Sequence, residues 1–219
     1  MQAYLAPLLI SCLVTYLICA IPFGMIFSKY FGKHKNLQSV GSGNIGFTNA
    51  ARVNGAKVGI LTLLFDVLKA FISVKFSWFL LASMSSTEYM ALRSPALIWM
   101  LALVYVCAVF GHVFSVYLKF HGGKGIAVGL GGSLAFIPLT GLSILAVFII
   151  VVLISKYVSL GSISAALGLV PFGLIYAHEP RYLLLLALIS LTVVWAHRTN
   201  IKKLLAGNES RIHLEKKKE

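Results

Sequence analysis

Carboxylates are almost missing from this chain. Six Asp and Glu stand among 219 residues, and Asp66 is the single one set inside an apolar stretch. Paired carboxylates for acid–base work, an HExxH zinc helix, a metal-ligand cluster and a GxSxG nucleophile elbow are all absent, which argues against hydrolytic-triad and zinc mechanisms. Charge of any sign is scarce, at 11% of residues against about 25% in an ordinary soluble domain. Cysteine is scarce as well. Cys12, Cys19 and Cys107 all lie in apolar segments without disulfide or metal spacing, and read as small buried hydrophobes. No metal and no cofactor is expected.

What fills the chain instead is hydrocarbon: 59% of residues are hydrophobic, the composition of an integral membrane protein. We read one all-α polytopic membrane domain over residues 1–219, ending in a basic tail over 198–219. A transmembrane helix needs about 20 apolar residues. Spans are expected near 3–26, 58–84, 95–117, 125–138, 141–155, 158–177 and 181–197, a seven-span helical bundle with five spans as the alternative count. Ile137-Pro-Leu-Thr-Gly141 is read as a break, with Pro138 interrupting the helix and Gly141 suiting a turn. The first segment has no cation before Lys29, so it reads as a retained helix rather than a signal peptide.

The net charge of +13 would point to nucleic acid in a soluble protein; here its placement points to topology. With seven spans, the odd-numbered connections and the tail carry 15 of the 19 cations, among them Lys29, Lys33, Lys35, Arg52, Lys57, Lys119, Lys124 and Lys156. Arg93 and Arg181 alone fall on the other face, and Lys69 and Lys75 lie within a span. The positive-inside rule then puts the N-terminus outside and the C-terminus in the cytoplasm. Contacts with membrane lipids, and none with nucleic acid, follow.

Four polar clusters gather on the cytoplasmic side. Val40 to Arg52 is dense in glycine, hydroxyls and amides. Its formal GxGxxG lacks the preceding strand of a dinucleotide fold, but glycines still let backbone N–H groups approach an anion, and Arg52 can clasp phosphate through two parallel bonds. A plain polar loop is the alternative. Gly111 to Gly125 holds His112 and the Gly122-Gly123-Lys124 run. It is no Walker A loop, because Leu118 and Gly125 stand where glycine and Ser/Thr are required. An ammonium flanked by glycines at a helix start fits an anion site, or simply an anchoring lysine. Ser155, Ser159 and Ser162 share one face if their segment is helical, and also suit helix packing. His197 and Asn200, three residues apart, leave the last span together; His197 serves as a base, a phosphate donor or a structural residue. Asp66 and Lys69, one turn apart, read as an intrahelical ion pair.

Together the clusters resemble the bacterial acyl-phosphate:glycerol-3-phosphate acyltransferase family (PlsY-type), over about residues 20–210. The resemblance is carried by Gly41-Ser-Gly-Asn-Ile-Gly-Phe-Thr-Asn49 with Arg52, and by Gly111-His-Val-Phe with Lys119-Phe-His-Gly-Gly-Lys-Gly-Ile-Ala127. Val158-Ser-Leu-Gly-Ser162, and His197-Arg-Thr-Asn200 with Gly207-Asn-Glu209, complete it. Ile45 replaces a usual proline, Phe47 an alanine, Ala70 a glycine, Ser115 a proline and Val128 a threonine. None of these removes a charged group.

The resemblance implies transfer of a fatty acyl group from acyl phosphate to the 1-hydroxyl of glycerol 3-phosphate, the first step of phospholipid synthesis, at the bacterial cytoplasmic (inner) membrane with the site facing the cytoplasm. It implies Ser42, Arg52, Lys124, His197 and Asn200 as catalytic residues. Gly43, Asn44, Thr48, Asn49, Gly122, Gly123 and Ser162 would complete the phosphate-binding set, and Glu209 would fasten the C-terminal segment. Acyl phosphate has a good leaving group, so positioning and charge stabilisation suffice without an acyl-enzyme; the hydroxyl proton passes to a substrate phosphate or to His197. Two rivals are a transporter of phosphorylated metabolites and an acyl-CoA-dependent enzyme, whose His-x4-Asp signature is missing. The topology is checked by fusions at Glu219. A fluorescent protein there is expected to fluoresce and alkaline phosphatase to stay inactive; an active phosphatase would reverse the orientation.

Overall fold

The computed structural model describes residues 2–34, 36–83, 95–177 and 180–212. Lys35, Arg93 and the tail lysines after 212, which enter the charge argument above, lie outside the described residues. Among those described, no strand occurs and ten α-helices follow in order: α1 (Gln2–Ala20), α2 (Phe23–Phe31), α3 (Phe47–Asn54), α4 (Ala56–Ser83), α5 (Pro95–Val113), α6 (Ile126–Phe136), α7 (Pro138–Ser155), α8 (Val158–Ala177), α9 (Leu183–Ala196) and α10 (Arg198–Leu205).

The fold is inside out relative to a soluble bundle. On α4, Thr62, Asp66, Lys69, Ser73 and Ser77 recur every three or four residues and are all buried, while Ile60, Leu64, Ile72, Phe76 and Phe79 are exposed. In hydrocarbon a polar group has no water partner and must be satisfied inside the protein. The buried hydroxyls of α4 comply by bonding one turn back: Thr62 to the Val58 carbonyl, Ser73 to Lys69 and Ser77 to Ser73. Lys75 lies at the edge, its ammonium 4.0 Å from the Trp78 ring centre.

Helix α5 is apolar all round and therefore sits in the middle. It packs against α1, α4, α6 and α9, and 67% of its most apolar window is buried, against 17% for α7, which lies on the outside. Small residues permit the close approaches that hold membrane helices together. Gly111 of α5 lies against the Tyr16 carbonyl of α1, Gly131 of α6 against the Val67 carbonyl of α4, and Gly132 against the Tyr105 ring.

The expected segments each correspond to helix, with differences in length and breakage. Four stretches are long and apolar enough to cross a bilayer among the described residues: Tyr4–Phe31, Pro95–Leu118, Pro138–Ser155 and Val158–Tyr176. The pair α9 and α10, bent by 58°, makes a fifth if counted together. Helix α4 has the length but carries Asp66, Lys69 and Lys75. Helix α6, with 11 residues, rises about 16 Å at 1.5 Å per residue, roughly half a hydrocarbon core.

The break near Pro138 is real but sharper than expected. Pro138 is the first residue of α7, where its missing N–H costs nothing, and Gly141 lies within that helix against Leu134 instead of forming a turn. The shared face proposed for Ser155, Ser159 and Ser162 does not form, because the chain turns through a left-handed Lys156 between α7 and α8.

The Gly131 contact yields a stability test. A methyl added at Gly131 would stand 2.1 Å from the Val67 carbonyl oxygen, whereas at Gly129 it would meet Tyr105 Oη at an ordinary 3.8 Å. Gly131→Ala is expected to cost about 1–3 kcal/mol, a drop of roughly 3–10 °C in Tm of the detergent-solubilised protein. Gly129→Ala should move Tm by no more than a degree or two. Equal shifts for the two would remove the packing explanation.

Candidate active site

The polar clusters converge at one end of the bundle, on a cavity of about 220 Å³. Its first wall is the loop from Val40 to Gly46 and the opening turn of α3. Gly41 and Gly43 hold left-handed backbone, φ +62° and +71°, which glycine adopts without strain. Asn49 locks the loop from beneath: its amide N–H groups donate to the carbonyls of Leu37, Val40 and Asn44, and its Oδ1 accepts from the Ser42 backbone N–H at 2.9 Å. Ser42, Asn44, Thr48 and Arg52 then face the cavity. Asn49 is fully buried and stands outside the lining, as does Gly43.

The second wall is the loop between α5 and α6. Gly122 and Gly123 donate their N–H groups to the carbonyls of Val113 and His112, both at 3.0 Å. Side chains are impossible there, since a methyl at Gly122 would stand 2.0 Å from the His112 carbonyl oxygen and one at Gly123 2.2 Å from His112 Nε2. The two glycines lie outside the cavity lining; they fold the loop back onto α5 so that Lys124 enters the cavity from above. Gln38 ties the two loops together by donating to the His121 carbonyl.

The third wall comes from the first turns of α8 and the bend between α9 and α10. Ser159 and Ser162 line it, with His197 and Asn200 opposite. A polar chain crosses the mouth: Lys124 donates to Asn200 Oδ1, and both Asn200 and Ser159 donate to Glu209 Oε1, at 2.9 and 3.0 Å. Glu209 thereby fastens residues 206–212 across the opening, helped by Ile212 N–H on the Lys156 carbonyl.

Some residues at the cavity were not among the expected set. Lys203 adds a further cation, and Asp66 and His112 face the cavity from the bundle interior. Asp66 and Lys69 do form the expected ion pair, Oδ1 to Nζ at 2.7 Å. Lys69 also reaches His112 Nδ1 at 3.1 Å, a partner 43 positions away whose proximity no spacing rule reveals.

Below this polar layer the cavity continues between Leu63, Leu130, Ile144, Leu145, Phe148 and Ala165. Along α8 the lining residues pass from Ser159 and Ser162 to Ala165, so polarity falls with depth. The site thus offers cations and hydroxyls at the bundle's end and an apolar arm leading into it.

A family model described as glycerol-3-phosphate acyltransferase matches residues 9–207. The chain belongs to the glycerol-3-phosphate acyltransferase family. It is 42% identical to a glycerol-3-phosphate acyltransferase of Trichlorobacter lovleyi, over 90% of this chain and 93% of that one. It is 37% identical to that of Endomicrobium trichonymphae, over 94% and 96%. Among solved structures, the integral membrane glycerol 3-phosphate acyltransferase PlsY in its glycerol 3-phosphate form matches with TM-score 0.82 and 32% identity, covering 94% of this chain and 96% of that one. The acyltransferase is thus a multi-pass membrane enzyme of known architecture.

Within this cavity, burial pushes the Lys124 ammonium below its usual 10.5; Glu209 opposes that shift, while Lys203 and Arg52 reinforce it. A bound phosphate supplies the opposite charge and restores the proton. The sign follows. Below the lowered value Lys124 is charged and binding is strongest. As pH rises between that value and the higher one of the complex, affinity for inorganic phosphate falls and binding takes up a proton. Titration calorimetry in buffers of different ionisation enthalpy is expected to show this uptake in the alkaline range, and Lys124→Arg, always charged, to abolish it. An unchanged uptake in Lys124→Arg would place the titrating group elsewhere.

Proposed function

We propose that this chain transfers a fatty acyl group from acyl phosphate to the 1-hydroxyl of glycerol 3-phosphate, giving lysophosphatidic acid and inorganic phosphate. The observation that carries this reading is a single cavity joining a lip of Arg52, Lys124 and Lys203 to an apolar arm. A substrate that is phosphate at one end and hydrocarbon at the other fits it, and a second phosphate ester fits beside it. The PlsY structures in glycerol 3-phosphate and lysophosphatidic acid forms support the acceptor and the product; the acyl phosphate donor rests on the apolar arm and on the motifs.

In this scheme Arg52 and Lys124 neutralise the two phosphates, with Ser42, Asn44 and Thr48 donating to their oxygens, and Ser162 joining them by turning its hydroxyl from the Val158 carbonyl it donates to at 2.9 Å. Gly43, Asn49, Gly122 and Gly123 act by shaping the two loops. Asn200 and His197 orient glycerol 3-phosphate. His197 Nδ1 lies 2.8 Å from the Val193 carbonyl, and a carbonyl only accepts. That nitrogen therefore holds the proton and Nε2 presents a lone pair to the attacking hydroxyl. The seven-span arrangement, with α4 and the short α6 counted as spans, N-terminus outside and the site facing the cytoplasm of the inner membrane, follows from the distribution of lysine and arginine and belongs to the same proposal.

The transporter and acyl-CoA readings separate in one assay. Purified protein in detergent, given glycerol 3-phosphate with palmitoyl phosphate or palmitoyl-CoA, is expected to release phosphate and form lysophosphatidic acid with the first donor alone. His197→Ala should lower kcat by about 100-fold if its lone pair takes the proton, and by much less if substrate phosphate does. No product with either donor, together with uptake into proteoliposomes, would favour transport.

A further inference from the structure

Two imidazoles face the cavity, and the hydrogen bonds behind them fix opposite tautomers. His197 turns a lone pair inward, as described. His112 is the reverse. The Lys69 ammonium has three N–H donors and three acceptors around it: Asp66 Oδ1 at 2.7 Å, the Ile21 carbonyl at 2.8 Å and His112 Nδ1 at 3.1 Å. An ammonium has no lone pair, so Nδ1 must accept, and the proton of a neutral ring resides on Nε2. Among the described residues no hydrogen bond engages Nε2, and His112, though 4% exposed, forms part of the cavity wall.

Position indicates what that donor meets. His112 occupies the last turn of α5, beneath the Gly122-Gly123 pair that carries Lys124, with Nε2 against the Gly123 backbone. It lines the same cavity as Lys124, Leu63 and Leu130, and its ring is tied to Lys69 of α4 in the bundle interior. An acyl phosphate with its phosphoryl group on Lys124 and its chain among the apolar lining residues has its carbonyl between the two, within the wall that His112 shares.

We propose that His112 is a catalytic residue whose Nε2–H donates to the carbonyl oxygen of the acyl phosphate and stabilises the oxyanion formed on attack. Lys69 and Asp66 are positioning residues that hold its tautomer. The inference rests on the acyl-phosphate reading above. In the step, the glycerol hydroxyl oxygen bonds to the carbonyl carbon and the carbon–oxygen bond to phosphate breaks. The electron pair leaves with phosphate, and the hydroxyl proton passes to phosphate or to His197. His112 keeps its proton throughout.

The test uses the full-length enzyme in detergent with palmitoyl phosphate and glycerol 3-phosphate. Loss of one oxyanion donor typically lowers kcat about 100- to 1000-fold, and that is the result expected for His112→Leu. Its Kd for glycerol 3-phosphate should stay within about threefold of wild type. His112→Gln, which places an amide N–H near the Nε2 position, should recover about tenfold or more of the lost rate. Ring-¹⁵N spectra of the wild type at neutral pH should show a protonated Nε2 and a bare Nδ1 at one histidine, the pattern being lost in Lys69→Met. A His112→Leu kcat within about threefold of wild type, a protonated Nδ1, or equal losses of rate and glycerol 3-phosphate binding in both variants would each overturn the role. A wild type that shows the tautomer but does not turn over palmitoyl phosphate would sink the acyl-phosphate reading, and the catalytic role with it.

Discussion

One buried ammonium ties the machine together. Lys69 is buried on α4, and a buried charge is tolerable only where acceptors surround it. Its three acceptors come from three places: Asp66 on its own helix, the Ile21 carbonyl where α1 gives way to α2, and His112 at the end of α5. The same histidine, through its carbonyl, receives the Gly123 N–H and so carries the loop of Lys124. Removing one member of such a buried network leaves an unpaired charge and typically costs about 3–5 kcal/mol. Loop geometry, helix spacing and the direction of an imidazole proton therefore depend on the same ion pair and two hydrogen bonds.

That dependence explains why the polar residues could be concentrated at one end of an otherwise greasy bundle. The glycine contacts at Gly111, Gly131 and Gly132 bring α1, α4, α5 and α6 close without polar groups. Asn49 satisfies three carbonyls of the first loop, and Gly122 and Gly123 use α5 carbonyls left over at its C-terminus. Ser115 closes the remaining gap by donating to the Ala20 carbonyl. The cavity is lined by apolar side chains in one part and by cations and hydroxyls in the other.

Sequence made much of this legible, for reasons that differ by residue. Apolar runs marked the helices because length and hydropathy are local properties. Ser42, Arg52, Lys124, Ser162, His197 and Asn200 stood out because glycine, hydroxyls and cations are conspicuous against hydrocarbon, and all six line one cavity. Asn49, Gly122 and Gly123 stood in the same motifs but shape loops, since motif membership does not tell a side chain that faces a ligand from one that holds the backbone beneath it. Gly141 looked like a turn because glycine supports turns and close packing equally well. Asp66 and Lys69 were visible as a pair one turn apart. Their third partner was not, because His112 approaches through packing of α4 against α5.

The two histidines show how far geometry reaches beyond identity. Both are buried at helix ends, both line the same cavity, and composition gives them the same chemistry. What separates them is the atom behind Nδ1. The Val193 carbonyl accepts from His197 and turns a lone pair inward; the Lys69 ammonium donates to His112 and turns a proton inward. In the proposed reaction the hydroxyl gives its proton to His197 or to a substrate phosphate, and a donor meets the carbonyl as it gains charge. In the proposed scheme Arg52, Lys124 and Lys203 balance phosphate, and the carbonyl is the one developing charge that they leave unaddressed. A neutral donor suits it better than another cation, since the phosphate must still leave and the apolar arm cannot solvate an uncompensated charge.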